Sequence, residues 1–91
     1  MDSLTEVTLK VTNPTGLHAR PAARLVQQAA AFRSRVSIAG NNKQADAKSI
    51  LAVMSLGLAY GSEIVLTADG EDEQACIAAL TALFAGNFGE D

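Results

Sequence analysis

The sequence of 91 residues predicts a two-layer α+β sandwich, in which helices cover one face of an antiparallel or mixed sheet. Short segments in which apolar and polar residues alternate, as in half-buried strands, are interspersed with segments of helical periodicity. Their order along the chain is β-α-β-β-α-β-α, and strands with one polar face need cover on the other face only. The length is too short for two domains, so residues 1–91 are expected to form a single domain.

Four segments have the alternation and composition of strands. They are EVTLKVT (6–12), RVSIA (35–39), the weaker KQADA (43–47) and EIVLTAD (63–69). The second and third segments flank GNN (40–42), a hairpin signal, so these two strands are expected to pair. The side chains expected to face the core are those of Val7, Leu9, Val11, Val36, Ile38, Ile64, Leu66 and Ala68.

Three segments are predicted to be helical. The first helix is expected from Ala19 onward, and Pro21 suits its first turn because the N–H groups there lack an intrahelical acceptor. Ser49 could cap a short second helix that ends at Gly57. The apolar stripes are Ala22, Leu25, Val26, Ala29 and Phe32 in the first helix, and Cys76, Ile77, Leu80, Leu83 and Phe84 in the third. The C-terminal segment 85–91 is expected to fray.

The charges are distributed unevenly along the chain. All seven Lys and Arg residues lie within residues 1–62, whereas seven of the ten acids lie within 63–91. Glu71, Asp72 and Glu73 are expected in the first turn of the third helix, where negative charge suits the positive end of the helix dipole. The asymmetry could steer a partner toward one end of the molecule, or it could be a solvated surface that maintains solubility.

Composition and charge exclude several classes of protein. The net charge of −3 argues against nucleic acid as the main partner. The one cysteine, Cys76, cannot form an internal disulfide and is expected to be buried in the third helix. The N-terminal residues do not resemble a signal peptide, and no apolar run approaches the roughly 20 residues of a membrane helix. We therefore expect a cytoplasmic protein without membrane insertion.

Sequence motifs for cofactors and metals are missing as well. The chain has neither the GxxxxGK[ST] phosphate-binding loop nor the GxGxxG dinucleotide fingerprint. One histidine and one cysteine could hold a metal only with clustered carboxylates, and the sequence shows no such cluster. We therefore expect no cofactor and no metal ion.

His18 is the only histidine of the chain and lies at or next to the N-cap of the first helix. The helix dipole and Arg20 both disfavour the charged imidazolium, which favours a neutral, nucleophilic ring. If the ring accepts a phosphoryl group, the N–H groups of Ala19 and Arg20 and the Arg20 guanidinium would stabilise the added negative charge. Position alone leaves open that His18 is a plain turn or capping residue.

Two motifs, GLHARPA (16–22) and AKSILAVMSLGLAYGSEI (47–64), resemble those of the histidine-containing phosphocarrier (HPr) family of the bacterial sugar phosphotransferase system. Both occur in the order and spacing of that family, and the likeness covers essentially the whole chain. The resemblance implies an open-faced β-sandwich, with four antiparallel strands and three helices on one face. It also implies a phosphoryl carrier rather than an enzyme.

The resemblance implies roles for the residues around His18. His18 matches the histidine that the family phosphorylates on Nδ1, and Arg20 matches the arginine that stabilises the phosphohistidine. Enzyme I, charged from phosphoenolpyruvate, would donate the phosphoryl group, and the A-domains of enzyme II proteins would accept it. Pro21 would fix the geometry of the helix start.

The resemblance also implies a regulatory site and a docking face. Ser49 matches a serine that an HPr kinase/phosphorylase modifies, after which the family member acts with a catabolite-control regulator; a plain N-cap is the alternative. The docking residues would be Ala23, Arg24, Lys48, Ile50, Leu51 and Met54, with core packing as the alternative for Ile50 and Met54. Gln27 and Ala30 replace lysines that many members carry, so the electrostatics toward partners should differ.

Two other functions remain open at the level of the sequence. The protein could be a regulatory relay of the nitrogen-related phosphotransferase branch, which the motifs do not separate from sugar transport. It could also be a ligand-binding regulatory domain, because small α+β sandwiches host many functions. As a carrier that offers one face to several partners, it is expected to be a monomer.

Overall fold

The computed structural model describes residues 4–89 of the chain. Its elements follow the order that the sequence predicts, with a short 3₁₀ turn added at the C-terminal end. The strands are β1 (Thr5–Lys10), β2 (Arg35–Gly40), β3 (Lys43–Asp46) and β4 (Glu63–Asp69). The helices are α1 (Ala19–Ala30), α2 (Ile50–Met54) and α3 (Glu73–Ala85), and the 3₁₀ turn is Asn87–Gly89.

The strands form one antiparallel sheet in the order β1-β4-β2-β3. β4 lies between β1 and β2, so that Ala68 pairs with Thr5 on one side and with Val36 on the other. The expected inward residues of β2 and β4 are all buried: Val36, Ile38, Ile64, Leu66 and Ala68. Val7 and Leu9 are only half-buried because β1 lies at an edge of the sheet. The predicted α+β class is confirmed, and the sheet is antiparallel rather than mixed.

The turn between β2 and β3 has the geometry that its sequence predicts. Asn41 and Asn42 have φ of 52° and 64°, which are left-handed values of the kind a type I′ hairpin turn requires. The side-chain amide of Asn41 also donates to the carbonyl oxygens of Leu56 and Gly57, at 2.9 and 3.1 Å. The hairpin tip is therefore tied to the segment that follows α2.

The three helices lie on one face of the sheet and enclose the core with it. The buried residues of α1 are Pro21, Ala22, Leu25 and Ala29, with Val26 and Phe32 half-buried beside them. The predicted stripe of α3 is buried at Cys76, Ile77, Leu80 and Phe84, and α2 buries Val53. Within residues 4–89 we find no helix that combines the length and the apolar character needed to cross a membrane.

The start of α3 differs from the sequence prediction. Glu71 and Asp72 precede the helix, and Glu73 is the acid that lies in its first turn. Asp72 is the N-cap residue, but its carboxylate accepts hydrogen bonds from Arg33 and Ser34 in the α1–β2 connection. Glu73 accepts from the Thr5 hydroxyl at 2.7 Å and is buried. These acids therefore bond to groups far away in sequence, which their local pattern does not reveal.

The expectation of a frayed C-terminal segment is not met for residues 85–89. Ala85 is the last residue of α3, and Phe88 is 1% exposed with its ring 4.7 Å from that of Phe84. Positive φ values of 52° and 58° at Asn87 and Phe88 turn the chain back so that the ring reaches the core. Glu90 and Asp91, the remainder of the segment, lie outside the described residues.

Candidate functional site

His18 lies on the surface at the N-cap of α1, where the sequence predicts it. Its backbone is extended, with φ −79° and ψ −166°, and its carbonyl oxygen accepts the first helical hydrogen bond from the N–H of Ala22 at 3.0 Å. The imidazole does not cap the helix. The residue is exposed at the positive end of the helix dipole.

A tight turn formed by residues 13–16 precedes His18. The N–H of Gly16 donates to the carbonyl oxygen of Asn13 at 3.0 Å, and the side-chain amide of Asn13 donates to the carbonyl oxygen of Gly16. Gly16 has φ +71°, and a Cβ at this position would lie 2.6 Å from the carbonyl oxygen of Leu58. Only glycine fits here, because a side chain would meet both the backbone strain and the clash. Residues 13–16 are called the Asn13 turn below.

The Asn13 turn is held on both flanks by the segment 58–62. The N–H of Leu17 donates to the carbonyl oxygen of Leu58 at 2.9 Å. On the other flank, Val11 exchanges hydrogen bonds with Gly61 and Ser62, at 2.8 and 2.9 Å. Val11 and Leu17 are both buried, so the chain enters and leaves the turn at fixed points next to His18.

Two arginines lie on the exposed side of α1 near its start. Arg20 and Arg24 are one helical turn apart and both exposed, and Ala19 is exposed beside them. A Cβ at Gly89 would lie 2.5 Å from Nη1 of Arg24, so the guanidinium lies next to the C-terminal turn. The N–H groups of Ala19 and Arg20 belong to the first turn of α1, whose donors point toward the helix N-terminus. This end of α1 thus brings together the donors and cations that can hold an anion.

Ser49 caps α2, as the sequence predicts. Its hydroxyl oxygen accepts from the N–H of Ala52 at 3.3 Å, and its own N–H donates to the carbonyl oxygen of Asp46 at 3.0 Å. The helix ends at Met54 rather than at Gly57. The Ser55 hydroxyl donates to the Ala52 carbonyl oxygen at 2.6 Å, which satisfies one of the orphan acceptors of this earlier end.

The second helix carries an exposed apolar surface. Ile50 is 38% exposed, Leu51 80% and Met54 40%, whereas Val53 is fully buried. Ile50 and Met54 thus retain over a third of their surface in solvent, and Leu51 most of it. We call Ile50, Leu51 and Met54 the α2 patch. Clustered apolar side chains of this kind often mark the sites at which proteins bind partners.

Lys48 and Ala23 complete the set of predicted docking residues. Nζ of Lys48 donates to the carbonyl oxygen of Phe32 at 2.8 Å, and both Lys48 and Ala23 are half-buried. Phe32 follows α1, a helix of 12 residues and thus about 18 Å long. Lys48 and its neighbour Ser49 therefore lie toward the far end of α1 from His18.

Two groups outside the His18 end have shifted pKa values. The Ser34 hydroxyl and then the Arg33 N–H donate to Asp72 and lower its pKa from 3.8 to about 2. Burial, with a smaller contribution from Asp72, raises the pKa of the Cys76 thiol, which keeps it protonated in the core. Cys76 is thus a buried packing residue, as the sequence predicts.

Two residues near the site were not singled out by the sequence. Asn13 is 0% exposed and closes the turn before His18. A signal for it is present in the chain, because Asn first, Pro second and Gly fourth is a common turn pattern. Tyr60, in the segment 58–62 that holds this turn, is 67% exposed. Because no local pattern predicts whether a turn residue is exposed, the sequence contains no signal that would have identified Tyr60.

Metal ligands are not assembled in the part of the chain that the structure covers. Among residues 4–89 there is no group of three or more His, Cys, Asp or Glu side chains placed to hold a metal ion.

Comparison with known proteins gives concordant results. Residues 5–86 match the family model PTS-HPr, described as the PTS HPr component phosphorylation site. The phosphocarrier protein HPr of Cupriavidus necator is 49% identical over 80 residues, which are 88% of this chain and 90% of that protein.

Solved structures agree with these matches. HPr-C-His from Thermoanaerobacter tengcongensis superposes with a TM-score of 0.92 at 47% identity, covering 96% of this chain and 98% of that one. An HPr dimer from the same organism gives a TM-score of 0.77 at 48% identity, covering 94% and 99%. The likeness extends over nearly the whole chain, and the shared fold is a four-stranded antiparallel sheet with three helices.

Proposed function

This chain belongs to the HPr family of phosphocarrier proteins of the phosphotransferase system, and on that basis we propose that His18 is its phosphoryl acceptor. Nδ1 of His18 takes the phosphoryl group from phosphorylated enzyme I in the cytoplasm. The group then passes to the A-domains of enzyme II proteins for sugar uptake. In each step the bond from phosphorus to the donor breaks as the bond to the acceptor forms. The partner proteins catalyse these steps, and this protein is their co-substrate.

The observation that carries this proposal is the exposed His18 at the N-cap of α1, two residues before Arg20. The oxygens of a phosphoryl group on the ring would accept from the first-turn N–H groups of Ala19 and Arg20. The Arg20 guanidinium adds a charge-assisted donor. Pro21 is fully buried and has no N–H, which supports a role in fixing the first turn of the helix.

The proposal is tested by incubating the protein with enzyme I and phosphoenolpyruvate. The wild-type chain should gain one phosphate that is labile in acid and stable in alkali, as expected of a phosphohistidine. His18→Ala should gain none, because this variant lacks the only imidazole of the chain. Ser49→Ala is the matched control and should still be labelled on His18. Labelling of His18→Ala at the wild-type level would refute the assignment of His18 as the phosphoryl acceptor.

We also propose that Ser49 is a regulatory site for an ATP-dependent HPr kinase/phosphorylase, whose product acts with a catabolite-control regulator. A phosphate on Ser49 would add about −2 charge at the start of α2. The serine directly precedes the α2 patch, so the added charge lies beside the surface that we assign to docking. Phosphorylation should therefore weaken transfer from enzyme I.

The proposed docking surface combines the α2 patch with the exposed side of α1. Arg24 is exposed and Ala23 half-buried on that side, so both can contact a partner that covers His18. Lys48 belongs to the margin of this surface, since its ammonium is engaged by the Phe32 carbonyl oxygen. The argument for docking is the exposed apolar area of Leu51, Ile50 and Met54.

A further inference from the structure

We propose that Asn13 is a positioning residue for phosphoryl transfer at His18. Its buried side-chain amide closes the turn before the helix and thereby fixes where the His18 backbone emerges. The inference rests on the proposed function of His18 and adds a residue that does not touch the reacting atoms.

The first observation is the pair of hydrogen bonds that joins the two ends of the Asn13 turn. The carbonyl oxygen of Asn13 accepts from the N–H of Gly16 at 3.0 Å, as in an ordinary β-turn. In the same turn, Nδ2 of Asn13 donates to the carbonyl oxygen of Gly16. Asn13 therefore holds both polar groups of the Gly16 residue, and a single backbone bond would hold only one.

The second observation is the environment of the Asn13 amide. The residue is 0% exposed, and within residues 4–89 its Oδ1 is a buried oxygen that has no hydrogen-bond partner. Burial of an unsatisfied acceptor costs stability, and an apolar residue of similar shape would avoid that cost. A buried oxygen without a partner calls for an explanation, and the donor of the same amide, which bonds to the Gly16 carbonyl oxygen, supplies one.

The third observation links the turn to His18 through the chain. The Gly16 backbone packs closely against the segment 58–59, since a Cβ on it would lie 2.6 Å from the Leu58 carbonyl oxygen. Leu17 is buried, and its N–H donates to the same oxygen. The position of the His18 backbone follows directly from these two residues. Loss of the Asn13 donor would free the Gly16 carbonyl oxygen, so that the Gly16–Leu17 peptide and the His18 backbone after it could shift.

The consequence for transfer concerns geometry rather than affinity. Phosphoryl transfer needs the accepting nitrogen in line with the bond that breaks, and a displacement of about 1 Å can slow such a step up to about 100-fold. The α2 patch and the exposed side of α1 are not part of the turn, so docking should be unaffected. Loss of the Asn13 donor is therefore expected to lower kcat while KM stays unchanged.

The test uses Asn13→Asp and Asn13→Ser in the full-length chain. Asp has the shape of Asn, but as a carboxylate it has no donor for the Gly16 carbonyl oxygen. Ser keeps a shorter donor and should rescue part of the rate. We expect kcat of enzyme I toward the Asp variant to fall by about tenfold or more, with KM within about twofold of wild type. The His18 imidazole resonances should shift in NMR spectra.

Two controls separate positioning from other effects. The first control is Asn41→Gly. The Asn41 side-chain amide also donates to backbone carbonyl oxygens, but it lies at the β2–β3 turn. Glycine can adopt the positive φ of this position. The kcat of this variant should equal that of wild type. Leu51→Ser alters the α2 patch and should raise KM with little change in kcat.

The outcomes discriminate between the proposals. If wild type is not phosphorylated by enzyme I, the proposed function fails, whatever the Asn13 variants do. If wild type is phosphorylated but both folded Asn13 variants keep its kcat and His18 resonances, Asn13 acts on stability alone and the positioning role is overturned. A rise in KM at constant kcat would also overturn it. If Asn13→Asp does not fold, the Ser variant decides by the same criteria.

Discussion

At the scale of single residues, the carboxylate of Asp72 holds the connection between α1 and β2 in place. Its carboxylate accepts from the N–H of Arg33 at 2.9 Å, the N–H of Ser34 at 3.0 Å and the hydroxyl of Ser34 at 2.5 Å. Ser34 is 1% exposed, so its donors need an acceptor inside the protein. Since Asp72 and Ser34 lie 38 residues apart in sequence, this carboxylate stabilises tertiary structure rather than its own helix.

We predict that Asp72→Asn lowers the Tm at pH 7 and makes the Tm less dependent on pH between pH 4 and pH 2. The pKa of Asp72 is lowered from 3.8 to about 2, so the folded state favours the carboxylate. The resulting stabilisation is fully present above about pH 4 and is lost as the pH falls through about 2. The difference in Tm between wild type and variant should therefore shrink from pH 4 to pH 2, measured by circular dichroism.

Glu71→Gln is the matched control for this prediction. Glu71 is the adjacent acid, and its carboxylate lies 3.8 Å from the Arg33 guanidinium with both side chains highly exposed. Exposed pairs of this kind contribute little, so Tm should change by less than in Asp72→Asn at every pH. A Tm difference for Asp72→Asn that is constant from pH 7 to pH 2 would contradict the assignment.

At the scale of elements, the stability of α2 depends on interactions at its two ends. It has five residues, too few for a helix that is stable on its own. The Ser49 hydroxyl accepts from Ala52 at one end, the Ser55 hydroxyl donates to the same residue at the other, and Val53 is anchored in the core. A change of charge at Ser49 therefore acts on both the shape of α2 and the patch that it presents.

We predict that two substitutions at Ser49 change different properties of the protein. Ser49→Ala removes the cap and should lower the free energy of unfolding by about 1 kcal/mol, measured by urea denaturation. Ser49→Asp restores an acceptor and adds the negative charge that suits a helix start, so its stability should be close to that of wild type. Its transfer rate from enzyme I should nevertheless fall, because the charge lies beside the α2 patch.

Ser55→Ala provides the control for the regulatory role. It removes the other serine of the α2 ends but leaves Ser49 intact, so an HPr kinase with ATP should still modify this variant. Ser49→Ala should not be modified. Kinase labelling of Ser49→Ala, or a wild-type transfer rate for Ser49→Asp, would refute regulation at this residue and leave the capping role.

At the scale of the whole molecule, the helix layer and the sheet leave different surfaces exposed. The helical side presents His18, the arginines of α1 and the α2 patch. The sheet has two outer strands, β1 and β3, and the short β3 has exposed polar residues at Lys43, Gln44 and Asp46. Charged residues on a short outer strand oppose pairing with another chain.

We predict that the protein is a monomer in solution, because self-association through the helical side would compete with its partners. Size-exclusion chromatography with light scattering should give a mass near 9.4 kDa for the chain. The HPr dimer from Thermoanaerobacter tengcongensis shows the alternative for a related protein. A mass of twice the chain that persists on dilution to micromolar concentration would contradict the prediction.

The order of the elements, the β2–β3 turn and the cap positions of His18 and Ser49 were determined by the sequence alone. These features depend on neighbours within a few residues: apolar periodicity, the left-handed preference of Asn41 and Asn42, and the capping preference of serine. The likeness to the HPr family rests on the same local segments. The amino-acid sequence is therefore sufficient to predict His18 at the N-cap of α1, and its role as phosphoryl acceptor stays a proposal.

The tertiary structure alone decided the roles of residues whose partners are distant in sequence. Asp72 bonds across 38 residues to Ser34, and Phe88 reaches the core only because positive φ values reverse the chain after α3. Asn13 matches a turn pattern, but its burial depends on the segment 58–62 that packs against the turn. A hydrogen-bond donor or an aromatic ring has no preferred distant partner until packing brings one near, which is why the local pattern could not reveal these contacts.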